Sequence, residues 1–173
     1  MDLCRENEIS LRWTVFPLHP ETLNEGQTLE ELFGDRVDIP KVMAELKVLA
    51  TDLGLPFGQR THTYNSRRAQ EIGKWAEQQG RGDGFRAAVY RAYFADGKNI
   101  ADLDVLVEIC SELGLSPSEA RQVWEQRLFA SAVDDDWQRV AQFGVTSVPS
   151  HVYRNRLLVG YQPVDKLKQL LGK

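Results

Sequence analysis

The chain has 173 residues, of which 42% are hydrophobic, 27% charged and 9% aromatic; this composition is typical of a globular domain and excludes disordered and collagen-like chains. Its 21 Lys and Arg against 25 Asp and Glu give a formal net charge of −4, without the basic excess of nucleic-acid-binding proteins. Two cysteines exclude a disulfide-rich secreted scaffold, and no apolar run reaches the length of a membrane span, so we expect a soluble, cytoplasmic protein.

The first predicted element is a strand near the start of the chain. Apolar residues occupy every second position there, at the period of a half-buried strand: Ile9, Leu11, Trp13 and Val15. Pro17 cannot donate to a sheet ladder and therefore ends the strand. The next strand-like stretch lies beyond residue 150, so the partners of this strand must come from far away in the sequence.

The intervening chain has helical periodicity. Helices are predicted after the capping box Thr28–Glu31, from Pro40 to Leu53, over 66–79, from Phe85 to Tyr93, over 103–113, and from Pro117 to Leu128 with Arg127 interrupting the apolar face. The glycine-rich run at 80–84 lies between two helices and does not follow a strand, so it is interpreted as a turn and not as a phosphate loop.

A last helix of this block is predicted around Trp137 and Val140. The acidic run 134–136 precedes it and is interpreted as its N-terminus, where negative charge offsets the helix dipole. The period then changes: 152–153 and 157–159 read as two short strands, with Asn155 tolerating a left-handed conformation in the turn. A final amphipathic helix follows Pro163.

The elements together predict an α/β fold, because a sheet formed by the two ends of the chain must be split by a long helical insertion. Cys110 lies on an apolar helix stripe and is predicted to be an inert core thiol, whereas Cys4 is interpreted as a tail residue. The three histidines, His19, His62 and His151, have no ligand spacing with other metal-binding residues, so no metal site is predicted.

The Val148-Pro149 pair stands directly before a predicted strand. A proline there must lie on a sheet edge or follow a cis peptide bond. We predict a cis bond, which would leave the backbone of Val148 available to pair with an extended ligand by strand addition. A plain strand-entry proline is the alternative interpretation.

The order of elements and four local segments resemble the FrnE-like branch of the DsbA-family thioredoxin-fold proteins, a group related to kappa-type glutathione transferases and 2-hydroxychromene-2-carboxylate isomerases. The segments are Trp13-Thr14-Val15-Phe16-Pro17-Leu18, Asn65-Ser66-Arg67-Arg68-Ala69, Tyr90-Arg91-Ala92-Tyr93-Phe94 followed by Gly97-Lys98-Asn99-Ile100, and Gly144-Val145-Thr146-Ser147-Val148-Pro149. The resemblance implies a thioredoxin-like fold interrupted by a helical subdomain. It places the thioredoxin-like part in residues 1–20 and 132–173 and the insertion in residues 21–131.

The resemblance also implies a site. Pro149 would be the cis-proline, Val148 would offer backbone hydrogen bonds to the substrate, and Asn65 would border the same cleft. Asn65 as a plain helix N-cap is the alternative. The family's first strand and its Cys-x-x-Cys helix should precede residue 9, so both are expected to be missing here, and no catalytic residue is identified.

Three functions therefore remain open. The leading hypothesis is a thiol-disulfide oxidoreductase homologue without a cofactor, acting on a protein or small-molecule thiol or disulfide. The alternatives are a glutathione-dependent kappa-type isomerase or transferase, and a non-catalytic thioredoxin-like binding module. No nucleic-acid or membrane partner is predicted, and a homodimer is expected to cover the exposed sheet edge.

Overall fold

The computed structural model describes residues 2–172, which divide into two compact units. The terminal unit contains the residues up to Leu18 together with those from Val133 onward, and the central unit is His19–Ala132. The helices are Asp2–Glu6 (α1), Leu29–Phe33 (α2), Ile39–Asp52 (α3), Arg67–Gln78 (α4), Gly82–Phe94 (α5), Leu103–Glu112 (α6), Pro117–Gln126 (α7), Ala130–Gln142 (α8) and Val164–Leu170 (α9), and Gly34–Arg36 is a 3-10 turn. The strands are Gln27–Thr28 (β1), His62–Thr63 (β2), Ser150–Tyr153 (β3) and Arg156–Val159 (β4).

The core of the central unit lies among α4, α5, α6 and α7. Its apolar side chains share the inward stripes of these helices, including Ile72, Trp75, Leu106, Cys110 and Val123. Helix starts follow the sequence signals: the Ser116 hydroxyl accepts a hydrogen bond from the Glu119 amide at 3.3 Å, with Pro117 at the first helical position. The predicted helices are therefore confirmed as elements, although α7 ends at Gln126 and Arg127 takes a left-handed conformation outside it. The interpretation of 80–84 as a turn is wrong for its second half, because α5 already begins at Gly82.

A two-residue antiparallel ladder in the central unit was not predicted. β1 pairs with β2 in the register Gln27↔Thr63 and Thr28↔His62. Two residues are too few to produce a readable alternation, which explains why periodicity missed them. The predicted capping box is confirmed, because the Thr28 hydroxyl accepts from the Glu31 amide and the Glu31 carboxylate accepts from the Thr28 amide.

The predicted strand at 9–15 is wrong for the part of the chain that the structure describes. These residues join no ladder, and Leu11 and Trp13 are 47% and 41% exposed. Alternation predicts which side chains could share a face, but a strand also requires a partner backbone. Instead, the Val15 amide donates to the Asp136 carboxylate at 3.0 Å.

The interpretation of the acidic run 134–136 as a helix start is also wrong. Helix α8 begins at Ala130, so these residues lie inside it. Asp136 is 1% exposed and forms an ion pair with Arg12 at 3.0 Å. The run ends in one inward-facing carboxylate after two exposed ones, Asp134 and Asp135, and composition alone does not distinguish them.

The predicted hairpin is confirmed in the terminal unit. β3 and β4 are antiparallel, with Ser150 opposite Val159 and Tyr153 opposite Arg156. The residue with a left-handed backbone in the turn is Arg154 (φ 53°), not Asn155 as predicted. Helix α9 then starts after Pro163. No helix in the described residues is long and apolar enough to cross a bilayer.

Candidate functional site

The candidate site lies where the chain enters β3. Gly144, with a positive φ of 67°, follows the end of α8, and the Val145 amide closes the helix by donating to the Val140 carbonyl at 3.0 Å. The Val148–Pro149 peptide bond is cis, in agreement with the prediction. The Gly160 amide donates to the Pro149 carbonyl at 2.7 Å, which extends the hairpin contact by one residue beyond the ladder.

Val148 is the open position of this segment. Its residue surface is 46% exposed, and its main-chain N–H and C=O have no hydrogen-bond partner among the described residues. The neighbouring Ser147 carbonyl, by contrast, accepts from the Ser150 hydroxyl at 2.7 Å. An unpaired backbone at a strand entrance can accept an additional extended segment, so Val148 can pair with a ligand main chain.

His151 lies two residues after Pro149, on β3 opposite Leu158. Its Nδ1 atom is buried and has no hydrogen-bond partner in the described part of the chain. Sequence reasoning weighed His151 as a metal ligand and did not predict that its Nδ1 atom is buried without a partner.

A buried carboxylate paired with an exposed arginine lies elsewhere in the terminal unit. The Asp136 carboxylate accepts from the Arg12 guanidinium and from the Val15 amide, both at 3.0 Å. It thereby anchors the extended segment 9–17 to α8. No sequence spacing pairs Arg12 with Asp136, because more than one hundred residues separate them.

Asn65 lies in the central unit, and both polar atoms of its side chain form hydrogen bonds within that unit. Its Oδ1 accepts from the Arg67 amide at 2.8 Å, at the start of α4. Its Nδ2 donates to the carbonyls of Pro20 at 3.1 Å and Thr22 at 2.7 Å. These contacts resemble the N-cap alternative in chemistry, although Ser66 occupies the cap position itself. Its predicted place beside the substrate cleft stays a prediction.

The two cysteines differ in environment. Cys110 is fully buried in the central core, and burial raises the pKa of its thiol to about 12, so the nucleophilic thiolate is disfavoured there. Cys4 is half-buried within α1 and not in an irregular tail. Both thiols are free.

The remaining histidines make local contacts in the central unit. His19 meets the Phe33 ring edge-on at 5.9 Å between centroids, and His62 stacks on Tyr64 at 6.1 Å. Within residues 2–172, no group of three or more His, Cys, Asp or Glu side chains could hold a metal ion.

A comparison with known protein families identifies the family to which this chain belongs. The model of the DSBA-like thioredoxin domain matches residues 2–172. The chain belongs to that family. The thioredoxin-like fold expected from the sequence is thereby confirmed, and the DSBA-like domain is of the class associated with thiol-disulfide oxidoreductases.

Three known proteins are similar to this DSBA-like domain. The uncharacterized protein YwbO of Bacillus subtilis (strain 168) is 21% identical over 171 residues, covering 95% of this chain and 82% of the relative. The probable DsbA oxidoreductase SCO1869 of Streptomyces coelicolor is 26% identical with a TM-score of 0.78, covering 89% of this chain and 72% of that one. A 2-hydroxychromene-2-carboxylate isomerase structure is 18% identical with a TM-score of 0.77, covering 99% and 84% of the two chains.

Proposed function

We propose that this DSBA-like domain binds an extended thiol or disulfide substrate through the main chain of Val148 and serves thiol-disulfide exchange. The observation that carries the proposal is the exposed, unpaired backbone of Val148 at the entrance of β3. A ligand strand that pairs there gains main-chain hydrogen bonds without requiring a particular sequence. Asn65 is proposed to border the same cleft.

We also propose an assignment of the chain within the fold. Residues 1–20 and 132–173 supply the thioredoxin-like part, and residues 21–131 supply the helical insertion of a FrnE-like member. We propose that the protein acts in the cytoplasm, without a nucleic-acid or membrane partner. A second copy is proposed to cover the open edge of the β3–β4 hairpin, because an isolated two-stranded hairpin is marginally stable in water.

The exchange itself requires a nucleophilic thiolate. The thiolate attacks one sulfur of a disulfide, forms a mixed disulfide and releases the other sulfur as a thiolate. A second thiol then attacks the mixed disulfide and releases the remaining substrate thiolate, so that the two attacking thiols end joined as a disulfide while the substrate disulfide is reduced to two thiols. Cys4 and Cys110 form no Cys-x-x-Cys pair. We therefore propose that the reacting thiols are not these two, and that glutathione is a candidate small-molecule reductant.

A second candidate is a glutathione-dependent isomerase or transferase of the kappa type. It is supported by the 99% coverage of this chain in the alignment with the 2-hydroxychromene-2-carboxylate isomerase, although that likeness is one of fold. A binding module without turnover is the third candidate. The double variant Cys4→Ser/Cys110→Ser distinguishes the three candidates. An oxidoreductase yields a reduced disulfide, an isomerase or transferase yields an isomerised product or a glutathione conjugate, and a binding module binds the ligand without turnover.

The binding site is tested with glutathione disulfide as the probe. Val148→Pro removes the main-chain N–H, whereas the matched variant Val148→Ala retains it. One unmade hydrogen bond and its unsatisfied carbonyl are worth about 1–2 kcal/mol, so we expect the proline variant to bind about tenfold more weakly than the alanine variant.

Titration followed by backbone NMR supplies an independent readout in the unsubstituted chain. The Val148 amide is expected to shift on addition of glutathione disulfide, and the amide of Asp135, an exposed residue on α8, serves as the reference. Equal affinities of the two variants, together with an unshifted Val148 amide, would remove Val148 as the binding position.

A further inference from the structure

A buried carboxylate in the central unit is shared by three guanidinium groups. Glu71 on α4 is fully buried. It contacts Arg67 at 2.8 Å, Arg127 at 2.6 Å and Arg68 at 3.5 Å. Burial alone would raise the pKa of Glu71, but hydrogen bonds from Arg127 and Arg67 outweigh it, so that the pKa is lowered and the side chain is ionised. Arg68 and Arg127 have no other carboxylate partner within the described residues.

Two of these arginines lie at the start of a helix, where negative charge is ordinarily preferred. The first turn of α4 contains Arg67 and Arg68 and no acidic residue. The positive end of the helix dipole favours anions, so two arginines there are electrostatically unfavourable. Arg127 adds a third cation from the end of α7, in a left-handed backbone conformation with φ of 54° that bulky side chains rarely adopt. Departures from local rules of this kind concentrate at functional sites.

The same cluster is rich in hydrogen-bond donors and poor in acceptors. A guanidinium carries five N–H donors and no acceptor. Arg68 donates to the Trp124 carbonyl at 2.8 Å and lies over the Trp124 ring at 4.6 Å from its centroid. The Trp124 indole Nε1 has no acceptor within the described residues. Burial lowers the pKa of Arg68 and the nearby charge of Arg127 lowers it further, whereas Glu71 acts in the opposite direction.

The cluster is open to solvent on one side. The Arg127 side chain is 47% exposed, whereas that of Arg68 is 23% exposed and that of Glu71 is fully buried. Arg127 therefore exposes guanidinium N–H donors that have no acceptor within the described residues. Its ion pair with the buried Glu71 carboxylate fixes the position of the guanidinium. A guanidinium that is held in this way is preorganised for the planar, two-oxygen contact that carboxylates and phosphates make.

We propose that Arg127 and Arg68, positioned by Glu71 at the start of α4, form a binding site for the oxyanion of a small molecule, a carboxylate or a phosphate. The anion contacts Arg127 from solvent and offsets the positive charge of Arg127 and Arg68, whose one carboxylate partner within the described residues is Glu71. This site is separate from the proposed role of Val148 in thiol exchange, so either can fail without the other.

The test is a calorimetric titration of the whole chain at low ionic strength. Sodium phosphate and sodium succinate are titrated separately, which distinguishes a phosphate site from a carboxylate site, and sodium chloride at matched ionic strength reports unspecific screening. We expect saturable binding of one equivalent of phosphate or succinate. Arg127→Gln should weaken it at least about tenfold, since a charge-assisted hydrogen bond exceeds the 1.4 kcal/mol that corresponds to that factor.

Arg121→Gln is the matched control. Arg121 lies on the same helix as the segment that leads to Arg127 and pairs with Asp104 at the surface, so its loss should leave anion binding unchanged. Arg68→Lys keeps the charge but not the planar fork, and an intermediate affinity is expected. If Arg127→Gln does not fold, side-chain NMR of the unsubstituted chain decides, since the Nε–H signals of Arg68 and Arg127 should shift with phosphate or succinate.

Three results would overturn the proposal. The first is the absence of saturable binding of either anion, and the second is equal binding of chloride. The third is an Arg127→Gln variant that binds as tightly as Arg121→Gln, because the cluster would then only join the turn after α7 to α4.

Discussion

Replacing Asp136 by alanine tests whether one buried carboxylate holds the N-terminal extended segment to α8. The contacts that the change removes include two at 3.0 Å, one from the Val15 amide and one from Arg12. The Arg12 side chain is 61% exposed, so water replaces its partner and its loss costs at most about 1 kcal/mol. The Val15 hydrogen bond to a charged acceptor is worth about 1.5–3 kcal/mol. Together they predict a loss of about 1.5–4 kcal/mol in the free energy of unfolding.

Urea unfolding followed by far-ultraviolet circular dichroism measures this loss. Asp135→Ala is the matched control, because Asp135 is the exposed neighbour on the same helix, and its substitution should change stability by less than about 0.5 kcal/mol. Arg12→Ala separates the two contacts and should cost no more than about 1 kcal/mol. If Asp136→Ala is as stable as Asp135→Ala, the contact between segment 9–17 and α8 contributes nothing, and the reasoning from burial is refuted.

Two further predictions concern the central unit. Cys110 should resist a thiol reagent at pH 8 without denaturant and react rapidly in denaturant, because burial raises its pKa to about 12 from an ordinary value of 9.0; fast labelling of the folded chain, read by mass spectrometry, would contradict this. The lowered pKa of Glu71 means that its contribution to stability is complete above the ordinary value of 4.5 and is lost as the pH falls through its lower folded value. Glu71→Gln should flatten this acid-side decline in urea unfolding, while the exposed control Glu125→Gln should leave it unchanged; identical pH profiles for the two variants would count against Glu71.

The helices could be predicted because their signals are local. Ser116 and Pro117 mark the start of α7, and the Thr28–Glu31 capping box marks the start of α2, within a few residues of each other in sequence. Local signals were not sufficient to predict a strand at 9–15. Apolar and polar residues do alternate there, but a strand forms only by pairing with a second backbone, and the sequence pattern does not show whether such a partner is present.

The candidate site was predicted in part. Val148 and Pro149 were found because a proline before a strand restricts the backbone of its neighbours, which is again a local effect. His151 was missed because its unpartnered Nδ1 atom depends on burial, which the sequence does not give. Asn65 was singled out, and its contacts with Pro20 and Thr22 required the fold.

The two buried carboxylates show which sequence features deserve a different interpretation. Asp136 is the buried member of an acidic run, and Glu71 is a fully buried charge on α4 that Arg127 reaches from beyond the end of α7. A charge on a buried face is costly unless a partner of opposite sign reaches it. Such a residue therefore predicts a long-range ion pair even when the partner cannot be named. In each unit that pair joins elements distant in sequence: Arg12 to α8 in one, and the end of α7 to α4 in the other. In the central unit, Arg68 and Arg127 also share the carboxylate of Glu71. This excess of positive over negative charge distinguishes a candidate anion site from a purely structural contact.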